Sequence, residues 1–148
     1  MMAASTRRSF VRSCGAGCAA LMGILLSGCA SAVALRVVPV GDRVRIRLAD
    51  HQALSRRGGA LRIMPDGAAA PLFVLAQNDG SYLALSSVCT HNGCIVNHVA
   101  GRFACPCHGS SYDGTGQVTG GPAERPLQRL RTQLLADGVL EIVLGGAS

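Results

Sequence analysis

Tryptophan and lysine are absent from this 148-residue chain, and aromatic residues make up only 3% of it. With no Trp, three Phe and two Tyr, the core must be built from Val, Ile, Leu and Ala. A small core of that kind gains from a cofactor or a crosslink. Because Lys is missing, all 14 basic residues are Arg, which reads as genome composition. Concentrated positive charge is missing too. The net +6 includes Arg7, Arg8 and Arg12 at the N-terminus, and the +3 that remains is scattered. Charge so small and dispersed argues against a nucleic-acid partner. After residue 35 there is no internal repeat, no low-complexity tract and no helical period.

The first 35 residues differ so sharply from the remainder of the chain that they read as a targeting segment. That leaves roughly 113 residues, 36–148, for one folded domain. Thr6-Arg7-Arg8-Ser9-Phe10-Val11-Arg12 resembles the twin-arginine export signal, a route that moves already folded proteins and so suits one loaded with a cofactor before export. From Ser13 to Leu35 no residue is charged, a length that can cross a bilayer, although Gly, Ala, Ser and Cys dilute its apolarity. Leu26-Ser27-Gly28-Cys29 looks like a lipobox, cut before Cys29, which then becomes a lipidated N-terminus. A retained helical signal anchor and cleavage after Ala30-Ser31-Ala32 are the other two outcomes. Two of the three leave the protein tethered to a membrane.

Downstream the signals are those of short strands. Arg43 to Leu48 alternates polar and apolar residues, with Val44, Ile46 and Leu48 on one face. Leu72 to Ala76 and Tyr82 to Leu85 flank Asn78-Asp79-Gly80, and Arg131 to Leu135 and Leu140 to Leu144 flank Asp137-Gly138. Both read as hairpins closed by residues that tolerate positive φ. Gly58-Gly59, Gly114 to Gly116 and Gly120-Gly121-Pro122 punctuate the remainder. The expected fold is all-β, a small antiparallel sandwich or barrel with long functional loops, preceded by the leader.

Four of the seven cysteines and three of the four histidines fall within twenty residues. All but His98 lie in two blocks, Cys89-Thr90-His91-Asn92-Gly93-Cys94 and Cys105-Pro106-Cys107-His108-Gly109-Ser110, with ten residues between them. These blocks, continuing through Tyr112 to Gly121-Pro122-Ala123, resemble the paired cluster-binding loops of the Rieske family. The resemblance implies a 2Fe-2S cluster with Cys89 and Cys105 on one iron, His91 and His108 on the other, and a Cys94–Cys107 disulfide. Two neutral imidazoles in place of two thiolates make the cluster less negative and easier to reduce, with potentials of roughly −150 to +300 mV. A crosslink closing so short a loop contributes about 3 kcal/mol by chain entropy. It requires an oxidising compartment, which the export signal independently supplies. In the family pattern Ser110 and Tyr112 donate hydrogen bonds to sulfur, favouring the reduced state. The outward imidazole nitrogens hold protons that become more acidic on oxidation, coupling electron and proton uptake. One departure is Glu124, where the family's loop often continues with a second Pro.

A zinc site of two Cys and two His is the main competing chemistry, but it explains neither Cys94 and Cys107 nor Ser110 and Tyr112. Rieske ferredoxins and oxygenases share the ligand pattern without the disulfide pair or the export signal, so the resemblance is to the cytochrome bc-type branch. There the usual role is to take an electron from quinol at a b-type cytochrome and pass it to a c-type cytochrome. Asn92 stands where quinol-oxidising subunits usually carry Leu, and a polar tip suits another partner or a weaker dock. The reading is an exported, membrane-tethered one-electron carrier on the periplasmic face of the bacterial inner membrane, without catalysis of its own. The alternative is the iron-sulfur subunit of a quinol-cytochrome c oxidoreductase. His51 and His98 read as ordinary surface or loop histidines, and Cys14 and Cys18 as leader residues without a role after processing. The lipobox reading predicts a mature chain that begins at Cys29 and carries lipid mass. Intact-mass spectrometry of the protein extracted from cells checks this against the retained anchor and the soluble form.

Overall fold

The computed structural model describes residues 33–147. The twin-arginine motif, Cys29 and the leader up to residue 32 lie outside these residues, while Leu35, the last leader residue, stands in the first strand. Eleven strands are formed: β1 Leu35–Val37, β2 Arg43–Arg47, β3 Ala60–Pro65, β4 Leu72–Ala76, β5 Tyr82–Ser86, β6 Asn97–Val99, β7 Arg102–Ala104, β8 Ser111–Tyr112, β9 Val118–Gly120, β10 Arg129–Leu134 and β11 Val139–Ala147. The only helical turns among the described residues are the 3-10 segments Leu48–Asp50 and Gln52–Ser55. Among them no helix is long and apolar enough to cross a membrane.

Seven strands make a base sheet in the order β1-β3-β4-β5-β10-β11-β2, and four make a small sheet in the order β6-β7-β8-β9. The small sheet lies wholly between β5 and β10 in the chain, so it is an insertion into the base. Every pairing is antiparallel except β1 with β3, where Leu35 lies opposite Ile63. The all-β architecture expected from the strand signals is present, and both expected hairpins form, β4 with β5 and β10 with β11. Strand β2 buries Val44 and Ile46 and exposes its three arginines, as alternation requires. Leu48 leaves the strand for a 3-10 turn, where its amide donates to Gly138 O at 3.1 Å and its side chain still packs on the core.

Strand β4 is buried along its whole length because it serves two cores. Leu72 and Val74 face one core, with Val44, Ile46, Ile63 and Ile142, whereas Phe73 and Leu75 face the other, with Leu85, Phe103 and Tyr112. Period-two geometry sends successive side chains to opposite faces, so a strand covered on both sides reads as a continuous apolar run. The β4–β5 hairpin is therefore a wall shared by the base and the inserted sheet, and Cys89 and Cys105 belong to the inserted side.

On the outer face of the base, Glu141 is buried although it sits opposite Arg45 in the β11–β2 ladder. Arg45 Nε donates to its carboxylate at 2.9 Å and Arg43 Nη1 donates to the other oxygen. The hydrogen bond from Arg45, with those and the charge from Arg43, outweighs burial and holds the Glu141 carboxyl below its ordinary range. A carboxyl with a depressed folded-state pKa contributes stability above its unfolded value, and that contribution is lost as pH falls through the folded value. Urea midpoints of the wild type should therefore drop more steeply between neutral pH and acid than those of Glu141→Gln. Equal slopes for the two proteins would show that the pair contributes nothing.

Candidate metal centre

The two cysteine-histidine blocks fold into a matched pair of loops at the open end of the small sheet. In each, the first cysteine's carbonyl accepts the amide of a glycine four residues on, Gly93 to Cys89 at 2.9 Å and Gly109 to Cys105 at 3.1 Å. In each, its amide donates to the carbonyl five residues on, Cys89 to Cys94 and Cys105 to Ser110, both at 2.8 Å. Gly93 and Gly109 sit at φ of +76° and +73°, a region that glycine enters without the Cβ clash other residues meet. The repeated turn directs both first cysteines into the core beneath the loops, where they are 2% and 3% exposed, and leaves His91 and His108 at the surface. The two imidazole rings lie edge to face with centroids 4.8 Å apart.

The sulfurs divide by role. Cys94 and Cys107 are joined in a disulfide that ties one loop to the other across a Cα separation of 6.5 Å. Cys89 and Cys105 remain free thiols. Although the sulfurs of Cys94, Cys105 and Cys107 lie within 4.8 Å of one another, two of them are committed to the disulfide, so this trio is not a ligand set.

Both hydroxyl residues singled out in the sequence are fully buried beside the thiols. Tyr112 is placed by β8 pairing with β7, opposite Phe103, and its hydroxyl lies 3.2 Å from Cys89 Sγ. Ser110 Oγ accepts the Ala123 amide at 3.1 Å, which leaves its own proton available to sulfur. Burial raises the Cys89 thiol, but hydrogen bonds from Tyr112, the His91 backbone, Cys105 and Ser110 more than reverse this and bring it down to about 7. Burial together with the Cys89 contact pushes the Tyr112 phenol up, keeping it protonated as a donor.

Two contributors had no individual role assigned from the sequence, although Thr90 lies in the first block and Gly121 in the third stretch of the family likeness. Thr90 is a junction: its amide and Oγ1 each lie 3.2 Å from the Tyr112 hydroxyl, and Oγ1 donates to Arg125 O at 2.6 Å. It sits between two expected ligands, but a single threonine carries no local signal of a partner 35 residues away. The other is Gly121, where a Cβ would fall 2.5 Å from Ser110 Cα and 2.7 Å from both Gly109 O and Ser110 N. This close approach docks the Gly121-Pro122-Ala123 segment against the second loop as a third wall of the centre. Glu124, which takes the place of a second proline, is exposed.

His98 requires a correction. It is a half-buried strand residue, with its ring centroid 4.9 Å from Phe103 and 5.9 Å from Phe73, and burial lowers its pKa. The β6–β7 pairing, invisible as a local pattern in a three-residue strand, carries it onto the aromatic core. His51 stays at the junction between the two 3-10 turns, as expected of a loop histidine. Asn92 is exposed at the tip beside His91.

A sequence model of the Rieske [2Fe-2S] domain family matches residues 35–131. The chain belongs to the Rieske family. Relatives of this Rieske chain include the cytochrome b6-f complex iron-sulfur subunit 2 of the Cyanophora paradoxa cyanelle, 44% identical over 46% of this chain and 30% of that protein. The cytochrome b6-f complex iron-sulfur subunit 2 of a Nostoc species is 34% identical over 65% of this chain and 56% of that protein. The chain thus spans between about a third and a little over half of these relatives. Among solved structures, a quaternary ammonium Rieske monooxygenase superposes with a TM-score of 0.52 over 63% of this chain and 29% of that one, at 16% identity, a likeness of fold. The family cofactor is a 2Fe-2S cluster, and the donor set fits it: two buried thiols in hydrogen-bonding contact, two adjacent surface imidazoles and two hydroxyls aimed at sulfur.

Because the atoms that meet a Gly121 Cβ are backbone, they have no side chain to swing aside. Gly121→Ala is expected to displace the third wall and lower the iron and acid-labile sulfide content several-fold. Gly67→Ala, at a similar φ of +80° but with nothing within 4 Å, should strain its turn and leave the iron content unchanged. Equal iron in both variants, measured against protein concentration, would remove this role from Gly121.

Proposed function

We propose that this Rieske protein is an exported, membrane-tethered one-electron carrier whose cluster is held by Cys89 and Cys105 on one iron and His91 and His108 on the other. The observation that carries the reading is the split in burial, with both free thiols inside the core and both imidazoles at the surface. When bound, a cluster with this ligand set supplies one reversible electron at a potential above that of all-cysteine clusters. The protein's own residues do the rest. The core keeps water from the thiols, Tyr112 and Ser110 direct protons at sulfur, and the disulfide holds the loops in register. His91 and His108 hold protons at the ring nitrogens turned to solvent, where a redox partner approaches.

Domain organisation accords with the same reading. Residues 1–35 serve as a twin-arginine leader with Cys29 as the lipidated residue, and 36–148 as the cluster domain, on the periplasmic face of the inner membrane. Export before disulfide formation and cofactor loading before export are mutually consistent. The relatives are named as subunits of the cytochrome b6-f complex, which supports c-type or b-type cytochromes as partners. It also supports the second reading, an iron-sulfur subunit of a quinol-cytochrome c oxidoreductase. Exposed Asn92 favours the free carrier, because a polar tip gives up hydration on packing into an apolar dock. Quinol-dependent reduction of the cluster, or co-purification with a b-type cytochrome, would decide for the complex.

The purified protein should contain iron and acid-labile sulfide and, once reduced, give an EPR spectrum of low average g. A colourless zinc protein would end this reading. Hydroxyl donors to sulfur stabilise the more negative reduced state, so Ser110→Ala and Tyr112→Phe should each lower the potential by about 60 mV, or ~1.4 kcal/mol for one electron. Voltammetry that finds both variants at the wild-type potential would refute the donor role.

A further inference from the structure

The exposed apolar residues are not evenly spread. Among the described residues six large hydrophobic side chains stand in solvent, and four of them fall within eight consecutive positions: Val33 at 93%, Leu35 at 37%, Val38 at 78% and Val40 at 75% exposed. Isolated exposed hydrophobics need no explanation, but four within eight residues, three of them at least 75% exposed, offer apolar surface to a partner. Between Val38 and Val40, Pro39 turns the other way, into a cavity of about 400 Å³ that also has Pro65, Leu72, Leu130 and Leu144 in its wall. The neighbouring charges are paired within the protein, Arg36 with Asp66 at 3.6 Å and Arg43 with Asp42 at 3.6 Å. The segment therefore presents four apolar side chains and one ion-paired, exposed arginine, Arg36.

We propose that residues 33–40 form a membrane-facing foot, on which the base sheet stands directly against the acyl-chain boundary of the bilayer. This rests on the tethered reading and adds where and how the domain meets the membrane. The length of chain between tether and fold identifies the occupant. Val33 is four positions after Cys29, a reach of at most about 14 Å from a lipidated residue. In the retained-anchor form it lies inside the uncharged run that ends at Leu35. Either tether holds the run at the membrane surface, where apolar side chains gain by entering the interface. A second contact beside the tether also fixes orientation, because one attachment point leaves rotation free and two do not.

The orientation has a consequence for electron transfer. Val37, within the foot, packs on the core formed with Val44, Ile46 and Ile142, on the face of the β4–β5 wall opposite Cys89, Cys105 and Tyr112. A domain resting on residues 33–40 presents the metal centre away from the bilayer, to a partner that approaches from the aqueous side. Because the contact is apolar, it needs no anionic lipid and is insensitive to salt.

The lack of Trp makes the test direct, since one introduced Trp is the only indole in the molecule. Val40→Trp and, as a second reporter on the foot, Val38→Trp are compared with Val99→Trp, 66% exposed at the β6–β7 hairpin of the small sheet. Each protein is isolated from membranes with its cluster, as judged by the visible spectrum. Each is then reconstituted into phosphatidylcholine vesicles with or without brominated acyl chains. The expected result is a blue-shifted emission at positions 38 and 40, quenched several-fold more strongly by bromine than emission at 99. Equal quenching at all three positions, in protein that floats with the vesicles, overturns the foot while leaving the tether intact. Protein that does not float overturns the tethered reading, and this inference with it.

Discussion

The difference in burial between sulfur and nitrogen donors is the constraint on which the structure turns. Thiolates are costly to bury unless hydrogen bonds or metal compensate them, so the core under the loops supplies donors as well as exclusion from water. Tyr112 and Ser110 provide hydroxyls, Ala123 anchors Ser110 through its amide, and Thr90 anchors Tyr112. The imidazoles are placed the opposite way. The turns that bury Cys89 and Cys105 carry His91 and His108 outward to solvent within two and three residues.

Much of the remaining fold serves to hold those turns. The β4–β5 hairpin divides the molecule into a base core and a centre core, so the loops rest on a wall that is itself braced from behind. The disulfide joins the two loops directly, and the docked Gly121 segment closes the third side. With no Trp and few aromatic residues, Phe73, Phe103 and Tyr112 are concentrated on the centre side. There large rigid rings fill the space beneath the thiols, whereas the fully buried residues of the base core are aliphatic, with Tyr82 packed against them.

The same division bears on function. The base carries β1, while the inserted sheet carries both cysteine-histidine loops, so the first strand and the loops belong to different sides of the β4–β5 wall. Asn92 leaves a polar side chain exposed beside His91, whereas Val33, Val38 and Val40 leave apolar ones exposed in the base. The family relationship covers residues 35–131, so it extends over the first strand and the centre alike but stops within β10.

The two cysteine-histidine blocks and both hairpins were legible in the chain, since each depends on near neighbours: a glycine four residues after a cysteine, or Asp-Gly between alternating runs; the Cys94–Cys107 pairing was legible only through the family resemblance. The two-fold use of β4 showed only as an unbroken apolar stretch, which names no second core until the inserted sheet covers it. Other features depended wholly on what folds over them. His98 is half-buried because β6 and β7 carry it to Phe103. Thr90 is a hydrogen-bond junction because Arg125 returns beside it, and Glu141 is buried because two arginines of another strand lie across it. Sequence by itself determined which cysteines and histidines gather in two short blocks and where the chain turns, because those are local properties of residue type and spacing. Only the tertiary structure decided which polar groups lose water and which keep it, because burial belongs to the neighbours that long-range pairing brings, and no residue carries it alone.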